Sequence, residues 1–193
     1  MSYLTREQLE DIGFADIGEG VLVSDRASIY NPARIRLGDN VRIDDFCVLS
    51  AGDGGIYIGS YVHIAAFSLL IGAGKITLSD FSGVSSRVSI YSSNDDYSGD
   101  SITNPTVPDA YKKVTHRPVF LGKHVIVGSG SVILPGVTLE DGVAIGALSL
   151  VRKDCAAFGV YFGNPAKRIR SRGRTLLELE QRLMEELGRE GEA

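Results

Sequence analysis

From Leu121 to Val151 an aliphatic residue returns at every sixth position: Leu121, Val127, Ile133, Leu139, Ile145 and Val151. A helix returns its apolar face near every 3.6 residues and a strand every second residue, so neither explains this period. Six residues describe a short flat run followed by a turn, and three such runs per coil close into a parallel β-helix. Each unit of such a coil buries its face only by stacking on the next. Two residues before each next aliphatic, Val125, Ser131, Val137, Val143, Ser149 and Cys155 form a second inward slot of small residues.

The period also occurs earlier, interrupted. Leu37, Ile43 and Leu49 keep it, with Val41, Cys47 and Asp53 in the second slot. The step from Leu49 to Ile58 is too long, and glycines between them supply the slack, because glycine accepts positive φ without steric cost. Ile58, Ile64 and Leu70 resume the hexads; extra residues around Gly72 and Gly74 shift them before Leu78, Val84 and Ile90. From about Ser92 to Pro118 the pattern fails in a polar insert holding three of the six prolines. Loops of that length without their own secondary structure are usually functional. The ends read as helices. Thr5 with Gln8 forms a capping box for a helix over 5–12. Leu176, Leu179, Leu183 and Leu187 form an apolar stripe among Glu178, Glu180, Glu185 and Glu186. That stripe predicts an amphipathic helix packed on its own domain or on a neighbouring subunit. Its acidic polar face argues against a membrane surface.

Composition bounds the partners. The chain has 193 residues, 23 glycines, no tryptophan and a net charge of -4, which suits one repetitive β domain and gives no case for nucleic-acid binding. No apolar run reaches the length of a membrane span, and Met1 to Glu7 carries no signal-peptide pattern, so a cytoplasmic location is expected. Cys47 and Cys155 both occupy the small inward slot and read as buried structural thiols.

Several segments resemble the hexapeptide-repeat acyltransferases, within them the galactoside and polysaccharide-sugar acetyltransferase branch. They are Pro118 to Gly122, Ile133-Leu134-Pro135-Gly136-Val137-Thr138-Leu139, Ile145-Gly146-Ala147, Val151 to Asp154 and Gly163-Asn164-Pro165-Ala166-Lys167. The resemblance covers about residues 20–172. It implies an all-β, left-handed parallel β-helix, an exception to the right-handed rule for parallel crossovers. It also implies a homotrimer with acetyl-CoA or another acyl-CoA in a groove between subunits, and a sugar or nucleotide-sugar acceptor. The chain then divides into a helical cap at 1–20, an acyltransferase β-helix at 21–157 with the insert at 92–118, and a coenzyme A-proximal basic segment and helix at 158–193. Lys167, Arg168, Arg170, Arg172 and Arg174 form a run without acids, and guanidinium groups bind phosphate oxygens by paired hydrogen bonds. In the family, the positions matching Lys167 and Arg170 meet the phosphates, and those matching Ser129, Ala147 and Arg152 line the pantetheine arm. Each also has a plainer reading: a solvated linker for the basic run, tight coil corners for Ser129 and Ala147.

Galactoside-type members carry a histidine base in the segment after Ile90; here that segment reads Ser92-Ser93-Asn94-Asp95-Asp96-Tyr97-Ser98-Gly99. Imidazole suits proton removal from an alcohol, whereas a carboxylate suffices to orient an amine and take its proton. Asp95, then Asp96, are the candidate bases or acceptor-orienting groups, against the alternative that the run is simply a turn. Ser85 and Ser86 are further polar residues on the approach. His63 is the remaining base candidate; His116 is a weaker one, and His124 occupies a turn slot at the surface. No histidine spacing suits zinc, so no metal is expected. Two functions follow: acyl transfer to the amine or hydroxyl of a sugar destined for cell-surface polysaccharide, or a non-catalytic β-helical scaffold that has lost its base.

Overall fold

The computed structural model describes residues 2–190; Met1 and the last three residues of the expected 158–193 segment lie outside the described residues. The chain winds into a parallel coil with three flat faces, as the hexads predict. The first face stacks six strands from Asp16–Ile17 to Thr138–Leu139, and the third stacks six from Ser28–Tyr30 to Leu150–Val151. The second face stacks eight, from Leu22–Val23 to Lys167–Ser171. Residues align rung on rung: Leu37 lies over Ile58, Ile58 over Leu78 and Leu78 over Leu121. Every hexad aliphatic from Leu37 to Val151 is buried. The parallel ladders run from Asp16 to Tyr161.

Two of the three edges are built alike, and their geometry explains the second slot. Connections from first to second face occupy 18–21, 38–41, 59–62, 79–82, 122–125 and 140–143; those from second to third occupy 24–27, 44–47, 65–68, 85–88, 128–131 and 146–149. The third residue of nearly every such corner takes positive φ: Gly20, Asn40, Tyr61, Phe81, His124 and Gly142 on one edge, Phe46, Phe67, Arg87, Gly130 and Leu148 on the other. That conformation reverses the chain in the manner of a type II turn. It costs a non-glycine residue about 1–2 kcal/mol. Stacking of like corners offsets part of this: Tyr61 lies on Phe81 at 4.8 Å, Phe81 on His124 at 5.2 Å and Phe46 on Phe67 at 5.0 Å. The fourth residue then points inward, where Val41, Cys47, Val125, Ser131, Val143, Ser149 and their counterparts are buried.

The third edge is irregular. Its connections occupy 31–34, 52–55, 73–75, 134–137 and the whole of 92–118. Asp53 departs from expectation there: the strands before and after it lengthen, and Asp53 stands exposed in the corner beside Arg34 at 3.2 Å. The insert leaves the coil through a short antiparallel bridge, Ser93–Asn94 with Thr115–His116.

Both terminal helices form. Thr5 caps Arg6–Ile12 through the expected reciprocal bonds with Gln8. The helix Thr175–Glu190 docks onto the coil through Glu180, whose carboxylate meets Lys123 Nζ at 2.7 Å and His124 Nε2 at 2.6 Å. His124, expected at the open surface, is thus a docking residue with an 11% exposed side chain. Hydrogen bonds from Lys123 and His124 hold Glu180 below its ordinary pKa. No helix among the described residues is long and apolar enough to cross a membrane.

Candidate functional site

On the second face, alternate side chains point outward. One outward column reads Arg42, His63, Gly83, Ile126, Ala144 and Val160, each directly over the last. Gly83 has no side chain, and above it opens a hollow of about 230 Å³ lined by His63, Ala65, Gly83, Ser85, Ile126 and Ser129 among others. His63 stands at its edge. Its Nε2 donates to Asp44 Oδ2 at 2.9 Å, while Arg42 Nε donates to Asp44 Oδ1 at 2.7 Å. Burial pushes the Asp44 carboxyl up, but the hydrogen bonds from Arg42 and His63 outweigh it and hold the group below its ordinary pKa. An ionised carboxylate only accepts, so the proton of the His63–Asp44 bond sits on Nε2. Asp44 was not singled out in the sequence; the only signal was an acid directly after the buried Ile43.

The same column continues to the basic segment. Lys167–Ser171 is a strand, correcting the linker reading, and it folds back on Gly159–Phe162 in antiparallel register. Residues three apart in a strand ordinarily face opposite ways. A bulge between Val160 and Tyr161 places Arg170 opposite Val160 and Lys167 opposite Phe162, two positions apart on that strand. Lys167 and Arg170 therefore share the outward side. Arg152 joins Lys167 in a cleft with Pro165 and Ala166. Ala147 is exposed on the neighbouring edge, one rung from Ser129. Four rungs separate Gly83 from Arg170, roughly 19 Å at about 4.8 Å per strand. That spacing suits an extended pantetheine arm with its phosphates at the cationic end, so the residues present fit coenzyme A. Two members of the basic run do other work. Arg172 turns inward and donates to the carbonyls of His124 at 2.7 Å and Gly142 at 3.1 Å, and Arg174 lies over the Phe158 ring at 4.3 Å.

The insert supplies a second hollow, about 380 Å³, lined by Tyr91, Ser93, Asn94, Asp95, Tyr97 and Leu134. The Asp95 carboxylate is exposed and meets no hydrogen-bond partner among the described residues. Asp96 differs. Its Oδ1 accepts from the Ser98 amide and hydroxyl, its Oδ2 from Ser101, and these bonds lower its pKa to about 2. These bonds tie Asp96 into the loop. His116 is likewise engaged, its Nδ1 2.8 Å from the Ser93 hydroxyl. Cys47 and Cys155 are buried as expected, and burial pushes their thiols up to about 11 and about 12 respectively, which leaves no thiolate nucleophile. Among the described residues, no group of three or more His, Cys, Asp or Glu could hold a metal ion.

A hexad coil with a cationic strand and an insert bearing a free carboxylate matches the left-handed β-helix acyltransferase fold. No family model matches the chain. It is 56% identical over 180 residues to the dTDP-4-amino-4,6-dideoxy-D-glucose acyltransferase of Escherichia coli, covering 93% of this chain and 94% of that protein. It also superposes on AntD, an N-acyltransferase from Bacillus cereus solved with dTDP and 3-hydroxybutyryl-CoA. The TM-score is 0.93 at 44% identity, covering 97% of this chain and 98% of that one. A serine variant of AntD in complex with dTDP-4-amino-4,6-dideoxyglucose and Coenzyme A superposes with a TM-score of 0.92. The chain belongs to the hexapeptide-repeat sugar acyltransferases. It is an acyl-CoA-dependent enzyme of that family, which sets aside the scaffold reading.

Proposed function

We propose that the chain moves an acyl group from coenzyme A to the amine of a nucleotide-linked 4-amino-deoxy sugar, as a homotrimer in the cytoplasm. The single observation carrying the choice of amine is Asp95: an unpartnered carboxylate on the insert, where an alcohol acceptor would need a stronger base. Ordinary carboxylates, with pKa near 3.9, remove protons from alcohols poorly. A sugar amine needs far less help. Asp95 holds the ammonium form, takes its proton and leaves a neutral nitrogen as nucleophile. That nitrogen attacks the thioester carbon, a backbone amide steadies the oxyanion, the C–S bond breaks, and the nitrogen's second proton goes to the departing sulfur. No covalent acyl-enzyme forms, since both thiols are buried and protonated. Structures of AntD carry substitutions at one serine and at one aspartate ten positions apart, the spacing of Ser85 and Asp95 here. The pair Ser86 and Asp96 has the same spacing; the unpartnered Asp95 carboxylate favours Asp95 as the acceptor-orienting base with Ser85 as its companion.

Placement supports the trimer. The Asp95 hollow lies against the third face and the Gly83 hollow on the second, and the two share no lining residue. A centre using both is completed by a neighbouring copy. The helix Thr175–Glu190 keeps Leu179, Leu183 and Leu187 exposed after docking, an apolar stripe available to that neighbour. Functionally the chain divides as 1–20 cap, 21–157 catalytic coil with its insert, and 158–193 donor-phosphate segment and helix. Lys167 and Arg170 hold the donor phosphates, and Ser129, Ala147 and Arg152 line its arm. Free buried thiols and the use of acyl-CoA with a nucleotide sugar support the cytoplasm.

Thiol release from acetyl-CoA tests the reaction with dTDP-4-amino-4,6-dideoxyglucose, dTDP-glucose and free galactosides as acceptors. Turnover with the amine alone is expected; transfer to the hydroxyl sugars at a comparable rate overturns the amine assignment. Sedimentation at three chain masses is expected for the assembly.

A further inference from the structure

We propose that His124 and Glu180 are positioning residues for the donor-phosphate cations: together they buckle the turn that follows the cationic strand, and so set where Lys167 and Arg170 stand. This rests on the phosphate reading of Lys167 and Arg170 given above. The strand needs an outside hold. Lys167–Ser171 is the last strand of the second face, pairs among the described residues only with Gly159–Phe162, and has all five residues exposed. The ladder that holds it is itself interrupted by the shift between Val160 and Tyr161. Its ends therefore carry much of its placement. Before Lys167, the Ala166 amide donates to the Leu150 carbonyl at 2.8 Å; after Ser171, the Arg172 amide donates to the Phe158 carbonyl at 2.7 Å.

The second tie converges on one corner of the coil. The Arg172 guanidinium donates to the His124 carbonyl at 2.7 Å and to the Gly142 carbonyl at 3.1 Å. The ring of the same His124 meets Glu180 Oε2 at 2.6 Å, and Lys123 Nζ donates to Glu180 Oε1 at 2.7 Å. His124 thus grips the chain twice, by its carbonyl where the chain leaves the cationic strand and by its ring where the helix begins. Two further observations tie the grip to the turn. His124 takes a positive φ of 58° in a corner slot that glycine fills on the next rung, at Gly142; that conformation disfavours a side chain, and here the side chain is used. Beyond Glu180, residues 181–188 are all exposed, so the contact secures the turn and the first part of the helix, not a helix packed along its length. Lys123 and His124 hold the Glu180 carboxyl below its ordinary pKa, which keeps it an acceptor for both.

The test uses the full-length enzyme and reads the dissociation constant of free coenzyme A by calorimetric titration, beside kcat and KM for one amino-sugar nucleotide. Glu180 lies outside the coil, so Glu180→Ala leaves the hexad core intact. It is expected to weaken coenzyme A by about threefold or more, the scale of coupling within one hydrogen-bond network, with kcat at saturating donor and the acceptor KM unchanged. His124→Ala is expected to do the same, and His124→Gln, which keeps a side-chain donor near Glu180, to restore much of the affinity. In a Lys167→Ala, Arg170→Ala background, Glu180→Ala is expected to add nothing, because it acts through those two cations. Loss of folded enzyme lowers the binding stoichiometry and kcat, not the affinity of the molecules that remain. An unchanged dissociation constant in Glu180→Ala, or an equal weakening in both backgrounds, overturns the inference and leaves the phosphate reading standing. If Lys167→Ala with Arg170→Ala leaves coenzyme A affinity unchanged, the phosphate reading fails first, and this inference with it.

Discussion

The coil and the insert are stitched in opposite ways. In the coil, hydrogen bonds join residues about twenty positions apart, as from the Ser28 amide to the Cys47 carbonyl or the Val48 amide to the Ser68 carbonyl. Beyond the Ser93–Asn94/Thr115–His116 bridge at its base, most insert bonds close within a few residues: Asp96 with Ser98 and Ser101, Asn104 with Thr106, Asp109 with Lys112. A coil residue is therefore held by the turns above and below it, whereas an insert residue is held mainly by its own turn. The proposed donor track lies on the stitched surface and the proposed acceptor carboxylate on the loose one. Rigid placement serves a donor that is the same in every reaction of this class; a locally folded loop can vary with the acceptor.

The contrast is broken most directly by stability. Ile133→Ala, in the unbroken hexads, should lose about 2–5 kcal/mol of unfolding free energy, the usual range for a truncated core aliphatic. Tyr97→Ala, on the insert and 88% exposed, should stay within about 0.5 kcal/mol. Denaturant melts of the two variants decide it, and equal losses would mean the insert is part of the core. Function should run the other way. Asp95→Asn is expected to lower kcat by roughly 10²-fold with the unfolding midpoint preserved, and an unchanged kcat removes Asp95 from the mechanism.

Smaller effects sharpen the same line. Replacing Lys167 and Arg170 by alanine together should weaken coenzyme A binding by about tenfold or more, each charge-assisted hydrogen bond being worth about 1.5–3 kcal/mol. Calorimetric titration with free coenzyme A reads this, and an unchanged dissociation constant removes both from the phosphate site. Acid should loosen the insert. The Asp96 pKa is about 2 in the fold against 3.8 ordinarily, so its hydrogen bonds stabilise the loop fully above pH 3.8 and lose that effect as pH falls toward 2. Proteolysis by an acid-active protease should cut the insert faster across that window, and Asp96→Asn should flatten the dependence.

How much of this was legible in the sequence follows from the same stitching. A hexad marks what each residue does for its neighbouring coils, so Leu121 to Val151, the small slot and both cysteines could be read from spacing. Outward residues carry no such mark. Gly83 looked like one glycine among 23, and its emptiness shows only once His63 and Ile126 are seen on either side. His124 was read as surface because its partners, Phe81 and Glu180, lie 43 and 56 positions away. Arg170 was paired with Lys167 by resemblance, while the bulge at Val160/Tyr161 that turns them the same way has no motif. The bonds that fold Ser98 and Ser101 onto Asp96 are a local event that a run of turn-forming residues leaves open.

The two regular edges carry one further consequence. Every connection along them spans the same four positions, from 18–21 and 24–27 through 140–143 and 146–149. A residue added at either edge would rotate each later side chain out of its column, and the donor track would be cut at that rung. The third edge already accommodates connections as different as 73–75 and 92–118. The molecule thus has a single port through which chain can be lengthened or exchanged, and Asp95 stands in it. Swapping the segment between the Ser93–Asn94 and Thr115–His116 bridge strands is expected to change the proposed acceptor mouth while the proposed coenzyme A wall keeps its register.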